Sequence, residues 1–284
     1  MTLIQALILG IIQGLTEFLP ISSTAHLCFI PQWIGWGDPG AALTAVLQLG
    51  TLAAVVLYFR DDILRLVRSL GHDLRSRSFC STPDSKQAWM IAVGTVPVVM
   101  CGLTFKEQIK GPLRQLTSIA LSAIGFALLL ALAEYRTWRR LRQGALVREE
   151  SAISWFDVLF IGCFQAFALI PGASRSGVTI TAGLFVGLSR SASARFSFLL
   201  SLPAVFAAGV YEFYKDRNEI IGASSSISSL CVALLVSGVL GYLSIAFLLG
   251  FLKKHATWIF IIYRLLLGTT LLFLLRDGLL QPSP

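Results

Sequence analysis

Residues 19–26 of the chain read LPISSTAH and interrupt an apolar segment that extends from residue 3 to residue 30. A similar break, IPGASRSG at residues 170–177, divides the apolar segment 156–188. Proline removes a backbone donor, and serine, threonine and glycine favour turns and helix caps. Such backbone is tolerated at membrane depth only where protein buries it or where it lines a wet cavity. Each segment is therefore predicted to be a re-entrant hairpin of two half-helices.

The composition of the 284 residues is that of a membrane protein. Hydrophobic residues make up 55% and charged residues 13%, and the mean hydropathy is +0.75. A soluble domain carries about 25% charged residues, so a disordered chain, a nucleic-acid module and an ordinary cytosolic enzyme are excluded. Six further apolar runs are long enough to cross a bilayer as helices. They lie at about 42–59, 89–105, 117–135, 196–214, 229–252 and 258–275.

The polar residues of the two broken segments repeat along the chain. Four of them recur 152 residues later: Gly10, Gln13, Ser22 and Thr24 as Gly162, Gln165, Ser174 and Ser176. Three spans follow each hairpin, and because three is odd, the second half would be inverted relative to the first. The predicted fold is an all-α integral membrane protein with an inverted-topology repeat, six full transmembrane helices and two re-entrant broken-helix hairpins. It forms one domain over 1–284, with halves of about 1–140 and 150–280, and the paired breaks predict a site near the midplane.

Basic residues predict the orientation of the chain. Lys and Arg number 23 against 15 Asp and Glu, a net charge of +8. Most of the basic residues fall on one side, where loops 60–88 and 136–155 lie. Loops that are rich in Lys and Arg stay in the cytoplasm, so we expect this side to be cytoplasmic.

Ionisable side chains are costly at bilayer depth and are therefore functional candidates. Gln13 and Glu17 share one face of the first half-helix at i, i+4 spacing. The Glu17 carboxylate suits Mg²⁺ or Ca²⁺, and Gln13 can lend a carbonyl oxygen. The alternative is a buried Glu17 that simply pairs with Arg175. Arg264 is the weakest candidate, since an interface anchor and a pocket role are equally compatible with its place in the last span.

The polar residues after Pro20 are typical of an anion site at a helix start. The hydroxyls of Ser22, Ser23 and Thr24 could donate to phosphate, or one could attack it, whereas plain helix capping is the alternative. His26 could relay a proton or attack phosphorus itself, and a structural histidine is the alternative.

The second break has the composition of a phosphate cradle. Glycines allow backbone N–H groups to approach an anion, and Ser174 and Ser176 add donors. Arg175 supplies a permanently charged fork that matches phosphate oxygens, with Thr179 one turn beyond. A snorkelling arginine near an interface is the alternative.

Two stretches resemble the signatures of a known family. QGLTEFLPISSTAH at 13–26 and PGASRSGVT at 171–179 are similar to the first and second motifs of the undecaprenyl-pyrophosphate phosphatases, the bacitracin-resistance family of bacteria. The resemblance covers the whole chain, including FSFLLSLPAV at 196–205. It implies hydrolysis of a C55 polyprenyl pyrophosphate to its monophosphate, which recycles the lipid carrier of cell-wall synthesis.

The resemblance also implies the surroundings of the enzyme. It implies a multi-pass protein of the bacterial plasma membrane whose divalent-cation-dependent active site opens to the periplasmic or extracellular face. The expected partners are the lipid substrate and membrane lipids, with no nucleic acid, and a homodimer is a further option.

The resemblance assigns roles to particular residues. Glu17 becomes the acidic, metal-binding residue, Ser23 and His26 the hydroxyl and imidazole of the first motif, and Arg175 the phosphate-binding arginine. Five residues would line the pyrophosphate pocket: Ser22, Thr24, Ser174, Ser176 and Thr179. Gln13 is expected to bind the pyrophosphate with them. The chain departs from the family at Gln13, where the motif can begin with glutamate, so one metal-binding charge is absent.

Two questions stay open at this point. The nucleophile could be Ser23 activated by His26, His26 itself, or a metal-bound water. The function could also be that of a transporter or polyprenyl-phosphate flippase, because inverted repeats with broken helices are a transporter architecture.

Overall fold

Helices make up the regular structure of residues 1–215 and 227–282, which the computed structural model describes. The first half of the chain contains α1 (Leu3–Thr16), α2 (Ser23–Trp33), α3 (Gly40–Tyr58), α4 (Arg60–Ser76), α5 (Pro83–Thr104), α6 (Lys106–Lys110) and α7 (Leu116–Arg142). The second half contains α8 (Trp155–Ala166), α9 (Arg175–Phe185), α10 (Arg190–Lys215), α11 (Ile227–Leu252) and α12 (Trp258–Arg276).

Six of these helices are long and apolar enough to cross a bilayer: α3, α5, α7, α10, α11 and α12. They coincide with the six predicted runs, so the all-α membrane fold with six full spans is confirmed. The shorter apolar helix α1 and the segment Trp155–Leu169 precede the two breaks. The inverted orientation of the two halves stays a prediction.

Both breaks use the same device to start a new helix. Ser22 and Ser174 cap α2 and α9 with φ values of 72° and 67°, in the left-handed region. Each cap hydroxyl accepts the N–H three residues on, from Ala25 at 3.3 Å and from Gly177 at 3.2 Å. A non-glycine residue pays about 1–2 kcal/mol for this conformation. The surrounding contacts must therefore hold both turns in place.

The two hairpins contact α7 at different levels. In the middle of α2, Cys28 shares an apolar cluster with Leu116 at the start of α7. Arg140, near the other end of α7, donates to the carbonyls of Leu184 and Phe185 at the end of α9. Because 24 residues of helix separate these contacts, they lie roughly 36 Å apart. The two breaks meet where the Ser176 hydroxyl donates to the Leu19 carbonyl at 3.1 Å. The second break lies within two turns of the start of α7, because the Ser122 hydroxyl donates to the Pro171 carbonyl at 2.6 Å.

Helix α4 lies within the stretch 60–88, which the sequence analysis treated as a basic loop. It begins directly after α3 with Asp61 and Asp62 in its first turn, which suits the positive end of the helix dipole. Leu66 is buried while most of the helix is exposed. An amphipathic helix with few apolar residues gives no hydropathy peak, so the spans could be found by hydropathy while α4 could not.

Candidate active site

The carboxylate of Glu17 joins the two breaks. Glu17 ends α1 and is 6% exposed. Its Oε2 accepts from Gln13 Nε2 at 2.8 Å and from Ser23 Oγ at 2.6 Å. Its Oε1 accepts from Arg175 Nη2 at 2.5 Å. The ion pair that the sequence offered as an alternative for Glu17 is thus present, and it sits beside the serine hydroxyl.

The ring of His26 makes two hydrogen-bond contacts, and neither is to Ser23. Its Nδ1 lies 2.7 Å from the Ser22 carbonyl, and its Nε2 lies 2.6 Å from the Tyr263 hydroxyl. A carbonyl can only accept, so Nδ1 donates to Ser22, and a neutral ring would accept at Nε2 from Tyr263. Among the described residues, neither ring nitrogen contacts Ser23. The structure therefore pairs Ser23 with Glu17, and His26 with α12.

The serines of the second break lie beside this group. Ser174 Oγ and Ser176 Oγ are 3.2 Å apart, and both residues are buried. Thr179, one turn into α9, donates to the Arg175 carbonyl at 2.8 Å and lies 2.5 Å from Ser197 Oγ. Hydroxyl side chains therefore lie at the cap of α9, in its first turn and one turn further on.

Thr24 is the one predicted pocket residue that this network leaves out. It is half-buried in the first turn of α2. Within residues 1–215 and 227–282, its hydroxyl makes no hydrogen bond to the other candidates. Its lining role stays a prediction.

The last helix supplies residues that the sequence analysis did not place in the site. Tyr263 contacts His26, and Arg264 is fully buried and donates through Nη2 to the carbonyls of Gly172 at 3.1 Å and Ala173 at 2.9 Å. The interface-anchor interpretation of Arg264 is therefore wrong. A charged residue well inside an apolar span was the signal for Arg264, whereas Tyr263 and Ser197 carry no such signal.

Several buried polar atoms of this region have no hydrogen-bond partner among the described residues. They are Gln13 Oε1, both polar atoms of the Gln165 side chain, Arg175 Nη1, and Arg264 Nε and Nη1. Buried polar groups are normally satisfied, so each exception calls for a ligand, an ion or a water. An acceptor lies beside Glu17 and guanidinium donors lie beside the start of α9, which suits a cation on one side and an anion on the other.

The donor set limits what kind of cation could bind. Among the described residues, no three His, Cys, Asp or Glu side chains are clustered for a metal ion. Glu17 and the unpartnered Gln13 Oε1 are both hard oxygen ligands. Mg²⁺ is often held by one or two carboxylates together with substrate phosphates. The residues therefore fit a cation that arrives with, or is completed by, a phosphate ligand.

Comparison with known proteins shows the family of the chain. Residues 6–270 match the family described as bacitracin resistance protein BacA. The chain is 55% identical over 283 residues to an undecaprenyl-diphosphatase of Chlorobium limicola, with 100% of both chains covered. It is 53% identical over 282 residues to an undecaprenyl-diphosphatase of Chlorobaculum tepidum, with 99% of this chain and 100% of the relative covered. The chain therefore belongs to the bacitracin resistance protein BacA family.

Proposed function

We propose that this protein is an integral-membrane hydrolase that converts undecaprenyl pyrophosphate to undecaprenyl phosphate and inorganic phosphate. This activity would recycle the lipid carrier of cell-wall synthesis and confer resistance to bacitracin. The observation that carries the proposal is the buried Glu17–Arg175 pair, which brings Ser23 to the meeting point of the two breaks. The names of the relatives support the same substrate.

Ser23 is the nucleophile in this proposal. Its hydroxyl already donates to Glu17 Oε2, so its proton can pass to that carboxylate as Oγ attacks the terminal phosphorus. The bond from this phosphorus to the bridging oxygen breaks, and prenyl phosphate leaves with the electron pair. A water then attacks the phosphoserine, and its hydrogens leave with the inorganic phosphate. The phosphorus–Oγ bond breaks, and Oγ takes the proton held by Glu17.

Arg175 and the start of α9 bind the phosphate oxygens. The guanidinium has an unpartnered Nη1 besides the Nη2 that contacts Glu17, so it can hold the carboxylate and an anion together. Backbone N–H groups at a helix start add further donors and a favourable dipole. The negative charge that shifts during phosphoryl transfer is thus met by preorganised donors. His26 Nδ1 donates to the Ser22 carbonyl, and this hydrogen bond positions the strained turn at Ser22.

A divalent cation, Mg²⁺ or Ca²⁺, completes the proposal. Glu17 and Gln13 Oε1 would hold it, and it would neutralise charge on the pyrophosphate oxygens. Because Gln13 is neutral, the protein contributes one negative charge fewer than a glutamate at this position would. Removal of the cation with EDTA should therefore abolish turnover, and added Mg²⁺ should restore it.

The proposed location is the bacterial plasma membrane, with the site open to the outer face. The end of α9 lies against Arg140 and Arg148, in the part of the chain that is richest in basic residues. Cytoplasmic loops carry such an excess, so the hairpin α1–α2 would face outward. Membership of a homodimer stays a prediction.

The test is phosphate release from C55 prenyl pyrophosphate by the detergent-purified protein, with and without EDTA. Glu17→Ala and Arg175→Ala should lose turnover. Arg276→Gln, a change of an exposed arginine at the end of α12, is the matched control and should keep it. No release from folded wild-type protein with Mg²⁺ present would reject the hydrolase. Equilibration of labelled polyprenyl phosphate across proteoliposomes without hydrolysis would instead indicate a flippase.

A further inference from the structure

We propose that Arg264 is a second anion-binding guanidinium of this site and that it makes the pocket selective for a diphosphate over a monophosphate. The inference rests on the proposed function and extends it to a residue of α12. Arg264 lies 89 positions after Arg175 in the chain, yet its guanidinium contacts the second break, on which Arg175 lies.

The hydrogen bonds of Arg264 are incomplete. Its side chain is fully buried, and only Nη2 has partners, the carbonyls of Gly172 and Ala173. Nε and Nη1 have none among the described residues. A guanidinium stays protonated in proteins, so these donors cannot be removed by loss of a proton. An acceptor that comes with a ligand would satisfy them.

The unpartnered donor Nη1 lies beside the first turn of α9. A Cβ atom placed on Gly177 would lie 2.7 Å from Arg264 Nη1 and 3.2 Å from Ser174 Oγ. The absence of a side chain at Gly177 is thus what admits the guanidinium. Arg264 and the cap hydroxyl of α9 flank the same point, next to a helix end that already favours anions.

The charges around α9 are unbalanced without a ligand. Arg175 has a carboxylate partner in Glu17, whereas Arg264 forms no ion pair with any of the described residues. Two guanidinium groups and the positive end of a helix therefore face one carboxylate. An unpaired buried charge is strongly unfavourable, and a polyanion would offset the excess better than a monophosphate.

The two guanidinium groups have different neighbours, which gives each phosphate its own position. Arg175 shares the Glu17 carboxylate with Ser23, so it serves the phosphoryl group that is transferred. Arg264 contacts the second break from α12. It therefore serves the phosphate that leaves with the prenyl chain. A monophosphate can fill only one of the two positions, and it should bind more weakly.

The test measures binding without turnover. The thermal shift of the detergent-purified protein is titrated with inorganic pyrophosphate and, separately, with inorganic phosphate. For the wild type, pyrophosphate should bind at least about tenfold more tightly. In Arg264→Gln, which keeps an N–H donor but loses the charge, pyrophosphate affinity should fall by about 10- to 100-fold, as for loss of a charge-assisted hydrogen bond. Phosphate affinity should change much less, and Arg276→Gln should leave both unchanged.

Kinetics and a second variant separate binding from folding. With prenyl pyrophosphate, Arg264→Gln should raise KM more than it lowers kcat. Gly177→Ala keeps the arginine but places a methyl group 2.7 Å from Nη1, and it should lower the preference for pyrophosphate in the same way. This variant decides the question if Arg264→Gln does not fold.

Two outcomes would overturn the inference. One is an unchanged ratio of pyrophosphate to phosphate affinity in folded Arg264→Gln or Gly177→Ala. The other is an equal loss for both anions, which a merely structural residue would produce. A wild type that binds pyrophosphate selectively through Arg264 but releases no phosphate would instead count against the proposed function alone.

Discussion

Single and double substitutions of the Glu17–Arg175 ion pair should affect the unfolding free energy and the turnover in different ways. The two side chains are 4% and 17% exposed. Removal of one partner from a buried pair costs about 3–5 kcal/mol, because the other charge is left uncompensated. Arg175→Met should lie at the low end of this range, since Gln13 and Ser23 still donate to the carboxylate. Glu17→Gln should lie at the high end, since the guanidinium already lacks one partner.

The double variant Glu17→Gln/Arg175→Met removes both charges. Its loss of unfolding free energy should therefore be smaller than the sum of the single losses by about 2–3 kcal/mol. Turnover should not recover, because both the proposed base and the phosphate clamp are gone. All three variants should lose a factor of about 10³ or more in kcat, as for removal of an arginine that stabilises phosphoryl transfer.

Reversible unfolding in SDS, followed by tryptophan fluorescence, gives the stabilities, and phosphate release gives the turnover. The matched control is the buried pair of Arg114 and Asp38, whose two hydrogen bonds are both 2.7 Å long. Arg114→Met, Asp38→Asn and their double variant should show a similar coupling in stability with little effect on kcat. Additive losses at Glu17 and Arg175, or a double variant within tenfold of wild-type turnover, would refute the reasoning.

Three further predictions concern other parts of the molecule. Gly50→Ala should lower the unfolding free energy in SDS by about 3 kcal/mol, because its Cβ would lie 2.0 Å from a serine hydroxyl of α11. Gly125→Ala should leave the unfolding free energy unchanged, because there is open space around Gly125. Equal losses in the two variants would contradict this account. His26→Asn keeps an N–H donor for the carbonyl of the α2 cap, so it should retain about tenfold more turnover than His26→Leu. An acid-labile phosphoenzyme would instead indicate attack by the imidazole. Hydrogen bonds from Ser81 and neighbouring hydroxyls lower the pKa of Asp73 to about 2. The stability from these bonds is therefore present above about pH 4 and lost as the pH falls toward 2. Relative to the intrinsic exchange rate at each pH, hydrogen exchange in 73–85 should rise over this range, but in Asp73→Asn this ratio should stay constant.

The spans and the breaks could be predicted from the sequence because their causes are local. A run of about 20 apolar residues crosses a bilayer wherever it occurs. Proline followed by serine or glycine interrupts a helix through its own backbone chemistry. Helix α4 was missed because hydropathy detects only continuous apolar runs, whereas the apolar residues of α4 form one stripe, with Leu66 buried, between charged residues.

The candidate residues of the two motifs could also be named from the sequence, because charged side chains at membrane depth are rare and costly. Their partners could not. The sequence alone left Glu17 open between a metal ligand and a partner of Arg175, and left His26 open between chemistry and structure. Side-chain hydrogen bonds act over about 3 Å, so the choice needed the positions of residues more than 150 apart in the chain.

Sequence by itself determined the class of the protein, its six spans, its two interrupted hairpins and the residues worth testing. Only the tertiary structure decided which contacts these residues make. Ser23 is hydrogen-bonded to Glu17, His26 to Tyr263, and Arg264 to the carbonyl of Ala173 in the second break. The physical reason is that hydropathy and backbone breaks are properties of neighbouring residues. The electrostatics of the site arise from the packing of α1, α9 and α12, which no local pattern specifies.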